Sequence, residues 1–484
     1  MSVEMATRYV LVCLIITCSF SFSEGGEEKM KGIDTVLVMD STGSMKKTDP
    51  LTLRKPAARL FISLLSDNDR AGIVSFSDSA RLLIGITEIG EKSGQKRLFK
   101  AVEMVNSKGL FTNIHEGIKM GFEALKSSHN DEKILILMSD GQMDLGDRVK
   151  EEALVADLKM SLLPEIKKAG VRIYTIAFTE ESDQALLEEI ATKTGGFYRL
   201  AKTGQDLHLV FASVFEKVKS PDSLPIQGDG FSVDKDVKEM VLLITKKTPG
   251  TAVAIADPSA REQTSKRHGP DIQWYESKVF DMITVKQPLS GRWKVKFHAA
   301  EGNKVFIMTD LKLMSSFKED LVTQGTVLKI DGWIEKDKEP IKVKDVLEHI
   351  KISALVKPPD GKTFAIVLHD DGTNGDTAPH DGVYGGQFST DQAGDYSIQF
   401  IAEAETFNRA KDVLFRVLPK PAEAPKTPVA QSKEVRAKEE DHVSWLKTLI
   451  SFGVINLGIA LLAAGVFSAM KFMKTRGRKD NVED

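Results

Sequence analysis

Cysteine is almost absent from this chain. Its 484 residues include two, Cys13 and Cys18, both within the first twenty positions. No disulfide framework can hold the remainder together. Charge of one sign is also scarce. The formal net charge is -3, and no basic patch interleaved with aromatics offers a footprint for nucleic acid. The familiar catalytic signatures are missing too: there is no Gly-x-Ser-x-Gly elbow, no phosphate-binding P-loop and no His-Glu-x-x-His zinc motif. No nucleophile with an attendant base and orienter is found, so the chain is expected not to be an enzyme and no catalytic residue is nominated. Hydrophobic residues at 42% and charged residues at 28% match a folded protein, and the length exceeds what one core fills.

Two long apolar runs bracket the chain. In the first, Arg8 precedes Tyr9 to Thr17, followed by Cys18-Ser19-Phe20-Ser21-Phe22-Ser23. This reads as a secretory signal peptide over 1–23. Export without disulfides suits a bacterial envelope protein. Cys18 invites comparison with a lipid-acylated cysteine, although Thr17 is larger than the residue such sites want. The second run, 448–470, carries no charge. At about 1.5 Å per residue it is long enough to cross a bilayer as a helix. Lys471, Lys474, Arg476, Arg478 and Lys479 follow it, so the tail 471–484 is expected in the cytoplasm and the N-terminal domains outside, in the periplasm or at the surface. Asn456, Ala460, Ala464 and Ser468 share one face at four-residue spacing, which favours self-association in lipid. Residues 419–445, rich in Pro, Ala, Lys and Glu, read as an extended stalk.

Between these runs, residues 31–217 alternate strand and helix patterns, as a doubly wound α/β sheet requires. The unbroken run Val36-Leu37-Val38-Met39 reads as a buried parallel strand and ends on Asp40-Ser41-Thr42-Gly43-Ser44. Thr112 lies in a loop just before a helical pattern. Ile134 to Met138 form a second apolar strand leading to Ser139-Asp140. Carboxylates and hydroxyls thus emerge at strand C-terminal ends, where open α/β sheets bind ligands. Oxygen ligands without His or Cys suit a hard divalent cation. The competing reading is that Asp40 and Ser44 only cap the next helix, which leaves Thr112 and Asp140 unexplained. His115, early in the helix after Thr112, reads as a surface or second-sphere residue, and Asp144 and Asp147 as the rim of the site or solvated.

The order Asp-x-Thr-x-Ser, Thr, Asp resembles the metal-ion-dependent adhesion site of von Willebrand factor A domains. The resemblance implies metal ligands at Asp40, Thr42, Ser44, Thr112 and Asp140. It implies Mg²⁺ there, with Mn²⁺ or Ca²⁺ as substitutes, and a protein partner that offers an acidic residue to the metal. Position 42 is Thr where Ser is more frequent; both supply a hydroxyl.

From about residue 222 the pattern turns to period-two alternation, and two all-β Ig-like sandwich modules are expected, over 222–318 and 319–418. Gly291-x-Trp293-x-Val295-x-Phe297 and Gly394-x-Tyr396-x-Ile398-x-Phe400 look alike, each preceded by a Pro-containing turn, Asp257-Pro258-Ser259 and Pro358-Pro359-Asp360-Gly361. This suggests an internal duplication; a single large β domain is the alternative. The second module carries Asp370-Asp371-Gly372-Thr373-Asn374-Gly375-Asp376 and His380-Asp381-Gly382. Asp370, Asn374, Asp376 and Asp381 are candidate Ca²⁺ ligands, although the spacing fails the EF-hand pattern and an Asp/Gly turn explains it as well. The order of domains resembles the extracellular calcium-activated chloride channel regulators and bacterial vWA surface proteins. Those regulators also have a zinc-protease domain, an activity that does not transfer without its motif. The reading is a membrane-anchored protein that binds a partner through a metal; the alternative is an accessory or scaffold subunit of an envelope membrane complex.

Overall fold

A computed structural model describes residues 32–420 apart from 92, 127, 297–301 and 344–346. The expected signal peptide, transmembrane run and tail, and all but the first two residues of the expected stalk, lie outside the described residues. Among the described residues no helix is long and apolar enough to cross a membrane.

The first half is built of β1 (Ile33–Asp40), α1 (Arg54–Leu64), β2 (Arg70–Phe76), β3 (Ala80–Glu88), α2 (Gly94–Met104), α3 (Ile114–Lys126), β4 (Glu132–Ser139), α4 (Arg148–Asp157), α5 (Leu163–Lys168), β5 (Val171–Ala177), α6 (Gln184–Thr194), β6 (Tyr198–Leu200) and α7 (Leu207–Lys219). The sheet order is β3-β2-β1-β4-β5-β6, parallel throughout except for β3, which returns antiparallel on β2. Every residue of β1 is buried, as its apolar sequence demands of a central strand covered on both faces. Ile114, Ile118, Phe122 and Leu125 recur at helical spacing and form the buried stripe of α3. Strand order reverses between β1 and β4, and this opens a crevice at their C-terminal ends.

The sequence from Glu151 to Lys168 reads as one helix stopped by Gly170; in the fold it starts at Arg148 and changes to a π-helical turn at Leu158–Leu162 before α5. Pro164 explains the change. It has no N–H to give to a carbonyl one turn back, so the regular ladder is interrupted there.

The β region contains β7 (Asp222–Ser223), β8 (Gly230–Val233), β9 (Val237–Thr245), β10 (Ala254–Ala256), β11 (Glu262–Thr264), β12 (Ile272–Glu276), β13 (Phe280–Lys286), β14 (Gly291–Val295), β15 (Lys304–Thr309), β16 (Leu311–Met314), β17 (Leu321–Thr323), β18 (Val327–Lys336), β19 (Glu339–Pro340), β20 (Lys351–Lys357), β21 (Phe364–Leu368), β22 (Tyr384–Ser389), β23 (Gly394–Glu403) and β24 (Asn408–Leu418). One ten-stranded sheet, β12-β13-β9-β15-β7-β24-β23-β20-β21 with β17 beside β24, runs through both halves of this region. The two-residue strand β7 is the joint: Ser223 pairs with Phe306 on one side and Ala410 on the other. Two cores remain distinct beneath this shared sheet, one around Phe231, Leu242, Ile283 and Trp293, the other around Ile330, Ile352, Phe400 and Phe415.

The sequence likeness of the two β segments has a local counterpart. Gly291 has φ +128° and Gly394 φ +134°, values closed to side-chain-bearing residues, and a Cβ on either would press on the ring of Pro258 or Pro359. In each case the strand before the proline, β10 or β20, pairs antiparallel with the strand that the glycine opens.

The α/β half is packed on the β region. Its core on the α1/α7 side is continuous with Leu243, Phe280, Met282, Phe306 and Leu414. Phe215 meets Phe306 edge to face at 5.4 Å, and His208 stacks on Phe280 at 5.0 Å. Burial drives the His208 imidazole down to about 4, so it stays neutral in this stack. Within the β region, the buried Arg409 guanidinium is shared out among Asp234, Thr309 Oγ1 (3.2 Å) and the carbonyls of Leu311 (2.7 Å) and Asn408 (2.7 Å). Its replacement in Arg409→Ala would leave the Asp234 carboxylate buried without its cation. The expected loss is about 3–5 kcal/mol, read as a lower urea midpoint for the β region.

Candidate metal centre

Two adjacent parallel strands set the site. β1 delivers Asp40 and β4 delivers Ser139 and Asp140 to the same end of the sheet, with Met39 and Met138 in register. Asp40 is fully buried and Asp140 nearly so. Asp40 accepts from Thr42 N–H (2.8 Å) and from the Ser139 hydroxyl (2.7 Å). Thr42 Oγ1 lies 2.8 Å from Ser44 Oγ, and Ser44 donates to Asp140 Oδ1 at 2.9 Å. Thr48, one helical turn after Ser44, donates to the other Asp140 oxygen. The capping alternative fails for Ser44: it occupies the N-cap of the one-turn helix Met45–Thr48, yet its side chain makes no capping bond.

Thr112 enters from a third segment. Its backbone is bridged to Asp144 in both directions (2.7 and 3.1 Å), and its Oγ1 would stand 3.3 Å from a Cβ on Gly141, next to Asp140. The loop is held by stitching. Gly43 N–H donates to Gly109 O (2.8 Å), and Lys108 and Gly109 donate to Ser41 O. A Cβ at position 109 would fall within 2.1 Å of Ser77 Cβ, so only glycine lets these turns approach. Asp78, from the β2–β3 hairpin, accepts from Leu110 N–H (3.2 Å) and Phe111 N–H (2.5 Å).

All five nominated residues therefore lie at one end of the sheet; hydrogen bonds link Asp40, Thr42, Ser44 and Asp140, with Thr112 against the Asp140–Gly141 turn. Sequence reasoning missed Thr48, Ser139 and Asp78. Thr48 had a signal, its four-residue spacing from Ser44 on a helix; Ser139 and Asp78 act across strands and loops far apart in sequence. Of the two places open to His115, surface or second sphere, the surface one is corrected. His115 is 5% exposed, under α4, with Nε2 2.8 Å from Asp157. Helix α3 turns its apolar stripe inward, and His115 follows Ile114 into that packing. Asp147 accepts from Val149 N–H and Lys150 N–H and so caps α4, while Asp144 braces Thr112 through its backbone.

The electrostatics fit a cation. Among the described residues no Lys or Arg is ion-paired with Asp40 or Asp140; their partners are hydroxyls and backbone. Burial and then the neighbouring Asp140 charge push the Asp40 carboxyl up to about 6, and burial raises Asp140 as well. Only oxygen ligands are offered, two of them carboxylates, which is a donor set for a hard divalent ion.

The family model of the von Willebrand factor type A domain matches residues 34–213. The segment is a von Willebrand factor type A (vWA) domain. Domains of this type commonly bind a divalent metal at the adhesion site. Downstream of the vWA domain, residues 217–309 match the model of a hemicentin galactose-binding domain-like module and residues 311–415 that of the conditioned medium factor second Ig-like domain. The Ig-like expectation thus has a matching family for the second β module, whereas the first matches a family of another name. Among curated proteins, calcium-activated chloride channel regulator 1 of Macaca mulatta is 24% identical over 393 residues, covering 75% of this chain and 40% of that protein. An uncharacterized protein of Synechocystis sp. is 26% identical over 192 residues, 39% of this chain and 42% of its own length. The chain spans about two fifths of the length of the regulators it matches. A solved vWA protein from Catenulispora acidiphila is 11% identical, covers 81% of this chain and 67% of its own, and has a TM-score of 0.34.

A second oxygen cluster lies in the second β module. Asp370, Asp376 and Asp381 bring carboxylate oxygens within 4.8 Å of one another. Each also accepts backbone N–H groups: Asp370 from Asp381 and Gly382, Asp376 from Gly372 and Ala378, and Asp381 from Val383. Asn374, in the left-handed region at φ 49°, turns its amide to Thr373 at 3.2 Å.

A pH dependence follows from Asp40. It holds its proton more tightly folded than unfolded, so its contribution to stability falls as pH rises from about 4 through about 6. A divalent ion opposes that loss only once the proton has left. Millimolar Mg²⁺ is therefore expected to raise the melting temperature well above pH 6 and progressively less as pH falls through 6. An equal shift at high and low pH in differential scanning fluorimetry would separate the ion from Asp40.

Proposed function

We propose that this chain is a membrane-anchored binding protein whose vWA domain captures a protein partner through a divalent cation. The residues that would hold the ion are Asp40, Thr42, Ser44, Thr112 and Asp140, and Mg²⁺ is the ion we assign. The observation that carries the reading is the convergence of two buried carboxylates and their hydroxyl neighbours from separate loops, with no basic side chain among the described residues ion-paired with either carboxylate. Two carboxylates about neutralise a divalent charge, so an added anionic ligand is still attracted. Mg²⁺ keeps exchangeable waters in its shell, and a partner's Asp or Glu carboxylate displaces one. Ser44 is exposed, which leaves the site open on that side. Binding is favoured over catalysis because no general base attends the site. The charge-free run 448–470 and the basic residues after it support a single membrane anchor with the vWA domain outside the cytoplasm.

The Asp-rich loop is read as a second cation site, for Ca²⁺, on the strength of the converging oxygens of Asp370, Asp376 and Asp381.

Two tests follow. Asp40→Ala is expected to abolish Mg²⁺-dependent capture of the partner, and Mg²⁺ binding in calorimetry, while circular dichroism stays unchanged; retained Mg²⁺ binding would refute the site. Asp376→Asn is expected to remove a Ca²⁺ heat that Asp40→Ala leaves in place; a Ca²⁺ heat unaffected by Asp376→Asn would remove the loop from the account.

A further inference from the structure

Beyond both cation sites, one cluster of charged side chains in the first β module is left without a task. Lys246, directly after β9, has a fully buried side chain, and Asp281 of β13 is buried with it. Glu276, the last residue of β12, stands at the rim. The register places all three on one face of the sheet. Glu276 is directly opposite Asp281, Asp281 is directly opposite Ile244, and Lys246, two residues on from Ile244, points the same way. Lys246 Nζ lies 2.7 Å from Asp281 Oδ1 and 3.6 Å from Glu276 Oε1, and it donates to the Ser277 carbonyl at 2.9 Å. Asp281 Oδ2 accepts from Trp274 Nε1–H at 3.0 Å.

The contact is a buried salt bridge with a second carboxylate beside it. A buried lysine and a buried aspartate held together this way, with a second carboxylate in reach of the amine and an N–H on the far oxygen, have the parts needed for amide formation. Burial also raises the Asp281 carboxyl, which eases the protonation its oxygen needs in order to leave.

We propose that Lys246 and Asp281 are joined by an intramolecular isopeptide bond between Nζ and Cγ, with Glu276 as the proton carrier. Glu276 takes a proton from the ammonium, and the free amine attacks Asp281 Cγ. Trp274 N–H steadies the charge on Oδ2 in the tetrahedral intermediate. Glu276 then delivers the proton to Oδ1, which leaves as water with the second proton lost by nitrogen. Ammonium and carboxylate become amide and water; nothing is oxidised or reduced and no co-reactant is needed. With no cysteine beyond Cys18, such a bond would supply the covalent staple that disulfides cannot.

The test is tryptic mass spectrometry of the purified full-length chain. A bonded Lys246 resists trypsin, so peptide 239–247 is expected joined to peptide 279–286 and lighter than their sum by one water. Recovery of free, full-mass 279–286 together with cleavage after Lys246 would overturn the bond. Asp281→Ala is expected to eliminate the joined peptide. Glu276→Gln removes the proton carrier and is expected to slow joining by about 10²-fold or more, leaving freshly made protein mostly unjoined with the fold intact by circular dichroism. Complete joining in that variant would overturn the role of Glu276.

Discussion

Asp40 and Asp140 are forced together because β1 and β4 are parallel neighbours at the point where the strand order reverses. The two carboxylates cannot relax apart without breaking the register of the central sheet. They cannot be quenched locally either, because their donors are hydroxyls and backbone N–H groups. Much of the surrounding loop architecture follows from this constraint. Thr42, Ser44, Thr48 and Ser139 turn their hydroxyls toward the carboxylates, and the Gly109 turn helps bring the Thr112 segment against the Asp140–Gly141 turn. The result is two adjacent buried carboxylates held where the strand order reverses.

The legible part of the site was the part carried by short-range pattern. The apolar runs before Asp40 and Asp140 identify central strands, and hydroxyls at alternate positions after Asp40 identify a ligand loop. What stayed illegible depends on pairs distant in sequence. Ser139 matters only because β4 lies beside β1, and Asp78 only because the β2–β3 hairpin reaches the Thr112 loop. His115 is a similar case: its neighbours in sequence suggest a helix start open to solvent, but α4 closes over it. The π-helical turn before α5 shows a local cause being overlooked, since Pro164 was present in what otherwise reads as an unbroken helix.

The β region shows a different limit. Alternation revealed the strands, and the repeated glycine and proline positions predicted a shared local geometry that Gly291 and Gly394 display. Neither feature tells which strands join edge to edge. The ten-stranded sheet passes through β7, two residues long, whose pairing partners lie some eighty and some hundred and ninety positions away. No periodicity can be read from so short a strand, yet it connects the sheets of the two cores.

That joint governs the order in which the molecule can be completed. The α/β half has its whole sheet within about 170 residues, so it can close as soon as β6 and α7 are made. The first β module has no such independence. Its sheet edge at β7 stays open until Asn408–Leu418 has been synthesised, nearly two hundred residues later, and Lys217 at the end of α7 waits equally long for the Leu414 carbonyl, 2.7 Å away in the finished fold. A growing chain therefore carries an unpaired strand edge through the synthesis of the entire second module. The short length of β7 keeps that exposed edge small during the wait.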